Sequence, residues 1–147
     1  MPETQSQEKK DALRLIGCEL KLVPALPYSN PGNYIRQSQQ IAENLAKTHD
    51  SGVLWANQFD NIANQISHYN STGPEIWDQT NGKIDGFTCA VGTGGTLSGT
   101  GLFLKDKNKE IKIALSDPFG SGLFNYYQRR EMKAEGNSIT EGIGQGR

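Results

Sequence analysis

The sequence predicts an α/β fold in which helices cover a mostly parallel sheet, in three αβα layers. Apolar residues recur at helical spacing in some segments and alternate with polar residues in others, and glycine, proline and asparagine mark the boundaries. The two kinds of segment alternate along the chain. Strands that are separated by helices are joined by crossover connections, which place the strands parallel to one another.

Five segments have a helical pattern, at residues 7–16, 34–47, 63–69, 74–79 and 96–107. Three segments are typical of strands, at residues 19–23, 84–91 and 111–116. Ser6 is a suitable N-cap for the first helix, and Gly17 is a suitable residue to end it. Residues 119–147 contain six glycines, so we expect them to form mainly loop.

The composition excludes several classes of function. Fifteen lysine and arginine residues against 16 acidic residues give a net charge of −1, which argues against nucleic acid or an anionic membrane as a partner. No apolar run has the length of a membrane span, and no targeting segment is visible. Cys18 and Cys89 lack a metal-ligand spacing, so no metal site is expected. They predict buried free thiols and an intracellular location, in the cytoplasm or a mitochondrion.

The most informative stretch is a glycine-rich loop that follows a predicted strand and opens a predicted helix. It consists of Gly92, Thr93, Gly94, Gly95 and Thr96. Backbone N–H groups at the start of a helix lack internal partners, and the helix dipole is positive there, so the loop predicts an anion site that suits a phosphate group. The two threonine hydroxyls are further hydrogen-bond donors. Small residues after the loop would keep one helix face thin enough to pack closely on the sheet.

Two familiar phosphate motifs fit the loop less well. A nucleotide P-loop is excluded because Thr100 stands where that motif requires lysine. Gly92 and Gly94 begin a dinucleotide-binding pattern, but Leu97 replaces its third glycine. Asp117, at the end of the next strand, could bind a ribose, so a dinucleotide-binding module stays open as an alternative. A glycine-rich turn that binds nothing is the other alternative.

The chain as a whole resembles the cysteine synthases, together with their cystathionine β-synthase relatives. Blocks that are similar to family segments occur in order along the sequence: MPET at 1–4, NQFDN at 57–61, TGPEIW at 72–77, GTGGT at 92–96, DPFGS at 117–121 and EGIG at 141–144. The resemblance implies a pyridoxal-phosphate (PLP) enzyme of fold type II. Its reaction would replace the acetate group on the β-carbon of O-acetylserine with sulfide and so give cysteine.

The resemblance also implies roles for particular residues. Gly92–Thr96 would hold the phosphate of PLP, Gly142 and Gly144 would lie near its ring, and Gln58 would contact the α-carboxylate of the amino-acid substrate. Residues 1–50 would be the later part of a small mobile domain. Residues 51–147 would be part of the large PLP-binding domain. His68 is expected to be a helix-packing residue.

One essential group of the family has no counterpart in the sequence. The family uses a lysine that forms a Schiff base with PLP, and no lysine here has a matching context. The resemblance therefore implies an internal fragment of a longer enzyme, without catalytic residues of its own and inactive alone. The alternative is a non-catalytic fragment or pseudo-enzyme that pairs with a full-length paralogue. A homodimer is also possible.

Overall fold

The computed structural model describes residues 1–135 and 142–144, which form six helices and two strands. The elements follow in the order α1 (Gln7–Leu15), α2 (Tyr34–Leu45), α3 (Ala63–Asn70), α4 (Thr72–Gln79), β1 (Gly86–Ala90), α5 (Gly95–Lys107), β2 (Lys112–Ser116) and α6 (Gly122–Arg129). The chain divides into two units, Met1–Asn57 and Gln58–Arg147. That these units are the small and large domains of the family stays a prediction.

The second unit is built on a β1–α5–β2 crossover. The two strands pair in parallel, with Gly86 opposite Lys112 and Ala90 opposite Ser116. Helix α5 connects one strand to the other, as the alternation of patterns in the sequence predicts. The predicted α/β class with a parallel sheet is thereby confirmed, as a partial α/β domain.

Helix α5 is the centre of the second unit. Its Leu104 is fully buried, and Ile111, just before β2, is 1% exposed. Gly101 lies against Ile113 of β2, where an added Cβ would stand 3.3 Å from the Cγ2 atom of that side chain. Gly99 instead faces α3, with an added Cβ only 2.8 Å from the Cβ of His68. The small residues of α5 therefore do not form the single face against the sheet that the sequence predicts. Gly101 contacts a strand, whereas Gly99 contacts helix α3.

The first unit is more lightly packed. Neither α1 nor α2 contains a buried residue, and Val23 is the buried apolar side chain among its residues. Asn33 caps α2 by accepting a hydrogen bond from the Ile35 N–H at 3.0 Å. The same side chain donates to the carbonyl of Leu26 at 2.7 Å, which ties the preceding loop to the helix.

The strand predicted at residues 19–23 is wrong. Only Val23 pairs, in a single parallel bridge with Pro2. Leu22 is 40% exposed, so the alternating pattern has no covered face that would fix a strand.

The buried thiol predicted for Cys18 is wrong for the same reason, since this free cysteine is exposed beside the unpaired segment. Cys89, in β1, is half-buried and free, and burial raises the pKa of its thiol.

The prediction of loop for residues 119–147 is wrong over α6. Ser121 is buried and caps this helix, with its hydroxyl oxygen accepting from the Phe124 N–H at 3.2 Å. Gly120 and Gly122, on either side of Ser121, indicated loop. They outweighed the N-cap and the aromatic residues of the helix that follows it. The other helices and strands lie within a few residues of their predicted positions.

Candidate functional site

The glycine loop lies where the sequence places it, between the end of β1 and the start of α5. Gly94 has a φ of +89°, a left-handed conformation that glycine adopts without strain. Within the described residues, no side chain caps α5. Among residues 1–135 and 142–144, the first N–H groups of the helix therefore have neither an internal partner nor a side-chain acceptor, which is the arrangement that an anion can complete.

The segment around Gly142 forms one side of the loop. An added Cβ on Gly92 would collide with the carbonyl oxygen of Gly142, so only glycine permits this approach. The N–H of Gly144 donates to the carbonyl of Val91 at 3.0 Å. Both residues that were predicted to lie near the cofactor therefore contact the loop or the residue that precedes it.

Helix α3 forms the other side of the loop. The side-chain amide nitrogen of Asn64 donates to the hydroxyl oxygen of Thr93 at 2.8 Å and to the backbone carbonyl of Gln58 at 3.1 Å. An added Cβ on Gly95 would collide with the same amide. Asn64 thus links Gln58, the predicted substrate contact, to the predicted phosphate loop. Gln58 itself is exposed.

His68 connects the loop to α4. Its Nε2 atom lies 3.1 Å from the hydroxyl oxygen of Thr96, and its Nδ1 atom lies 2.9 Å from the hydroxyl oxygen of Thr72. The expectation that His68 is only a packing residue is therefore incomplete, because both ring nitrogens are engaged in hydrogen bonds. Asn64, His68 and Thr72 are spaced four residues apart, and this spacing was the available sign that they form one polar row.

All of the predicted site residues belong to one unit and are joined by the contacts above: Gln58, Gly92, Thr93, Gly94, Gly95, Thr96, Gly142 and Gly144. The uncapped helix start fits a phosphate group, and at Gly92 the backbone carbonyl of Gly142 approaches too closely for any residue with a Cβ. The roles of these residues stay predictions, and the structure adds Asn64 and His68 to the set.

Asp117 has a structural contact that accounts for its position. Its Oδ2 atom accepts hydrogen bonds from the Ser121 hydroxyl and from the Phe124 N–H, the latter at 3.0 Å, at the start of α6. Burial raises the pKa of the Asp117 carboxyl, and the bond from the Phe124 N–H opposes the shift. A ribose-binding role is the weaker interpretation, because this carboxylate already caps a helix.

The described residues contain no helix that is long and apolar enough to cross a membrane, and no cluster of three or more metal-ligating side chains. The fold and the loop together define a class of protein: an α/β domain in which a glycine-rich loop joins a strand to the uncapped start of a helix.

Comparison with known proteins identifies the family within that class. A family model described as "Pyridoxal-phosphate dependent enzyme" matches residues 1–147, so the chain belongs to this family. It is 51% identical over 150 residues to cysteine synthase 1 of Neurospora crassa, an alignment that covers 100% of this chain and 39% of that protein. The chain thus spans about two fifths of the length of that curated relative.

Two solved structures support the same assignment. An O-acetylserine-dependent cystathionine β-synthase from Helicobacter pylori superposes with a TM-score of 0.81 at 28% identity, over 99% of this chain and 43% of that one. A cysteine synthase from Entamoeba histolytica gives 0.75 at 34% identity, over 99% and 39%. The predicted resemblance and the predicted fold type II are confirmed, and PLP is the cofactor of the family.

Proposed function

We propose that this chain is the phosphate-holding part of a cysteine synthase, in which O-acetylserine and sulfide give cysteine. The observation that carries the proposal is the cradle at residues 92–96, with its uncapped helix start and the close approach of the Gly142 carbonyl to Gly92. Whole-chain similarity to cysteine synthases supports the substrate class. PLP, when bound, would supply the electron sink that lets acetate leave the β-carbon of O-acetylserine, where sulfide then takes its place.

Each residue has a defined task in this proposal. The N–H groups of Gly95 and Thr96 donate to the phosphate, and the helix dipole favours its negative charge. The hydroxyls of Thr93 and Thr96 donate as well. Gln58 orients the substrate by donating from its side-chain amide to the α-carboxylate. Gly92, which has no Cβ, permits the close approach of the Gly142 carbonyl that closes one side of the cradle.

The test is calorimetric titration of the full chain with 4′-deoxypyridoxine 5′-phosphate, which has the ring and phosphate of PLP but no aldehyde to react with surface lysines. We expect Thr93→Val and Thr96→Val each to weaken binding by about tenfold, the effect of one lost hydrogen bond to a charged group. Thr48→Val, which removes an exposed hydroxyl of the first unit, is the matched control. 4′-Deoxypyridoxine without the phosphate should bind far more weakly. Equal affinity for the two ligands would overturn the proposal.

Cysteine formation by these 147 residues alone is not expected, because no lysine has the context that the family requires. The proposed partners are a second copy of the chain or a full-length paralogue that supplies the lysine. Light scattering after mixing with a purified full-length cysteine synthase would test this pairing. A mass equal to the sum of the two would support it, and unchanged separate peaks would contradict it. A cytoplasmic or mitochondrial location stays a proposal.

A further inference from the structure

We propose that His68 is a positioning residue that leaves the Thr96 hydroxyl hydrogen available to the phosphate. The inference rests on the proposed phosphate cradle and goes one step beyond it. It begins from the row of polar side chains on α3 and α4, in which Asn64 reaches Thr93 and His68 reaches both Thr96 and Thr72.

A hydroxyl group carries a single hydrogen, so its partners decide where that hydrogen points. At Thr93 the side-chain amide of Asn64 donates to the hydroxyl oxygen, which leaves the hydroxyl hydrogen for another acceptor. At Thr96 the direction depends on His68, because a neutral imidazole has one donor nitrogen and one acceptor nitrogen. Each threonine of the cradle thus has a nitrogen-bearing side chain beside its hydroxyl. Asn64 donates to Thr93, whereas His68 can either donate to Thr96 or accept from it.

Two arrangements of the neutral imidazole satisfy the contacts of His68. In the first, Nε2 carries the proton and donates to Thr96 at 3.1 Å, while Nδ1 accepts from the Thr72 hydroxyl at 2.9 Å. In the second, Nδ1 donates to Thr72 and the Thr96 hydroxyl donates to Nε2. The second arrangement turns the lone pairs of the Thr96 oxygen toward an anion in the cradle, which is repulsive.

An anion in the cradle therefore favours the first arrangement, since a ligand shifts an equilibrium toward the state that it binds better. The packing of α3 on α5 allows the contact. Gly99 has no side chain where the Cβ of His68 approaches, so the imidazole can reach Thr96 one turn earlier in the same helix. In the first arrangement the hydroxyl of Thr72, in the first turn of α4, donates to Nδ1, and no contact of the imidazole is lost.

Nitrogen-15 NMR of the histidine rings tests the assignment directly. The chain contains two histidines, and His49→Gln identifies the signals of His68. With the full chain saturated with 4′-deoxypyridoxine 5′-phosphate at pH 8, we expect Nε2 of His68 to carry a proton. An unprotonated Nε2 in the bound state would overturn the inference while leaving the phosphate cradle intact. Absence of calorimetric binding would overturn the cradle and the inference together, so the two failures are distinguishable.

A pair of substitutions separates the donor role from packing. The amide nitrogen of glutamine reaches the position of Nε2, and that of asparagine reaches only the position of Nδ1. His68→Gln should keep the affinity within about threefold of the wild type, and His68→Asn should weaken it by about tenfold, the effect of one hydrogen bond. Affinity for the phosphate-free ligand should be the same in both variants. Equal loss of phosphate affinity in the two variants, with unchanged thermal melts, would contradict the positioning role.

Discussion

The two units of the chain contain similar kinds of residue but differ in how they bury them. Among the described residues of Gln58–Arg147, the buried apolar side chains are Leu104 in α5, Val91 at the end of β1 and Ile111 before β2. In Met1–Asn57 the helices α1 and α2 contain no buried residue, and Leu15 is 88% exposed. A phosphate site of the kind proposed requires backbone groups held in fixed positions, and the glycine loop lies in the unit whose helix has a buried anchor.

The unfolding of each unit can be followed separately in solution, because each unit contains one tryptophan. Trp55 belongs to the first unit, where its ring N–H donates to the Ser38 hydroxyl at 3.1 Å. Trp77, in α4, belongs to the second unit and lies against Gly82. The single-tryptophan backgrounds Trp77→Phe and Trp55→Phe therefore report the unfolding of the first and the second unit, respectively.

The largest effect is expected for Leu104→Ala. Truncation of a fully buried leucine should lower the free energy of unfolding of the second unit by about 2–5 kcal/mol, through lost burial and the cavity that remains. Urea denaturation followed by Trp77 fluorescence measures it. Leu15→Ala, followed by Trp55, is the matched control and should change stability by less than about 0.5 kcal/mol. Similar losses in the two variants would show that the difference in burial does not govern stability.

A smaller effect is expected for Asn33→Ala in the first unit. The substitution removes the cap of α2 and the bond to the Leu26 carbonyl, with an expected loss of about 0.5–2 kcal/mol. The urea transition of Trp55 should move to lower denaturant concentration, while that of Trp77 should stay in place. Asn44→Ala, at an exposed position of the same helix, is the control. Equal shifts in the two tryptophan transitions would show that the units unfold together.

The smallest effect concerns Asp117 and depends on pH. Burial raises the pKa of this carboxyl above its ordinary value of 3.8, so the folded chain binds the proton more tightly than the unfolded chain does. As the pH rises from 3.8 through the raised pKa, this group therefore lowers the stability, and the loss is complete above that pKa. Asp117→Asn keeps an oxygen for Ser121 and Phe124 and removes the charge.

The stability of the wild type relative to Asp117→Asn should therefore fall with pH across that window and be constant above it. Urea midpoints of Trp77 fluorescence at a series of pH values measure the difference. A relative stability that rises with pH would show that the hydrogen bonds from Ser121 and Phe124 outweigh burial.

The sequence by itself determined the α/β class, the positions of most helices and the glycine loop. These features depend on local rules: apolar spacing, glycine at a left-handed turn, and helices between strands. The order of the family blocks also predicted the family. The strand expected at residues 19–23 failed because alternation predicts a strand only where a neighbour covers one face and completes the pairing. Helix α6 was missed because the glycines around it concealed the Ser121 cap.

Only the tertiary structure decided which side chains support the loop. Asn64 lies 29 residues before Thr93 in the sequence, and His68 lies 28 residues before Thr96. No local pattern connects such residues. Gly99 likewise shows its function only when α3 is packed against it, since a glycine in a helical segment does not indicate which neighbour approaches. Spacing along one chain determines secondary structure, whereas the polar groups that orient a binding site are set by which helices pack together.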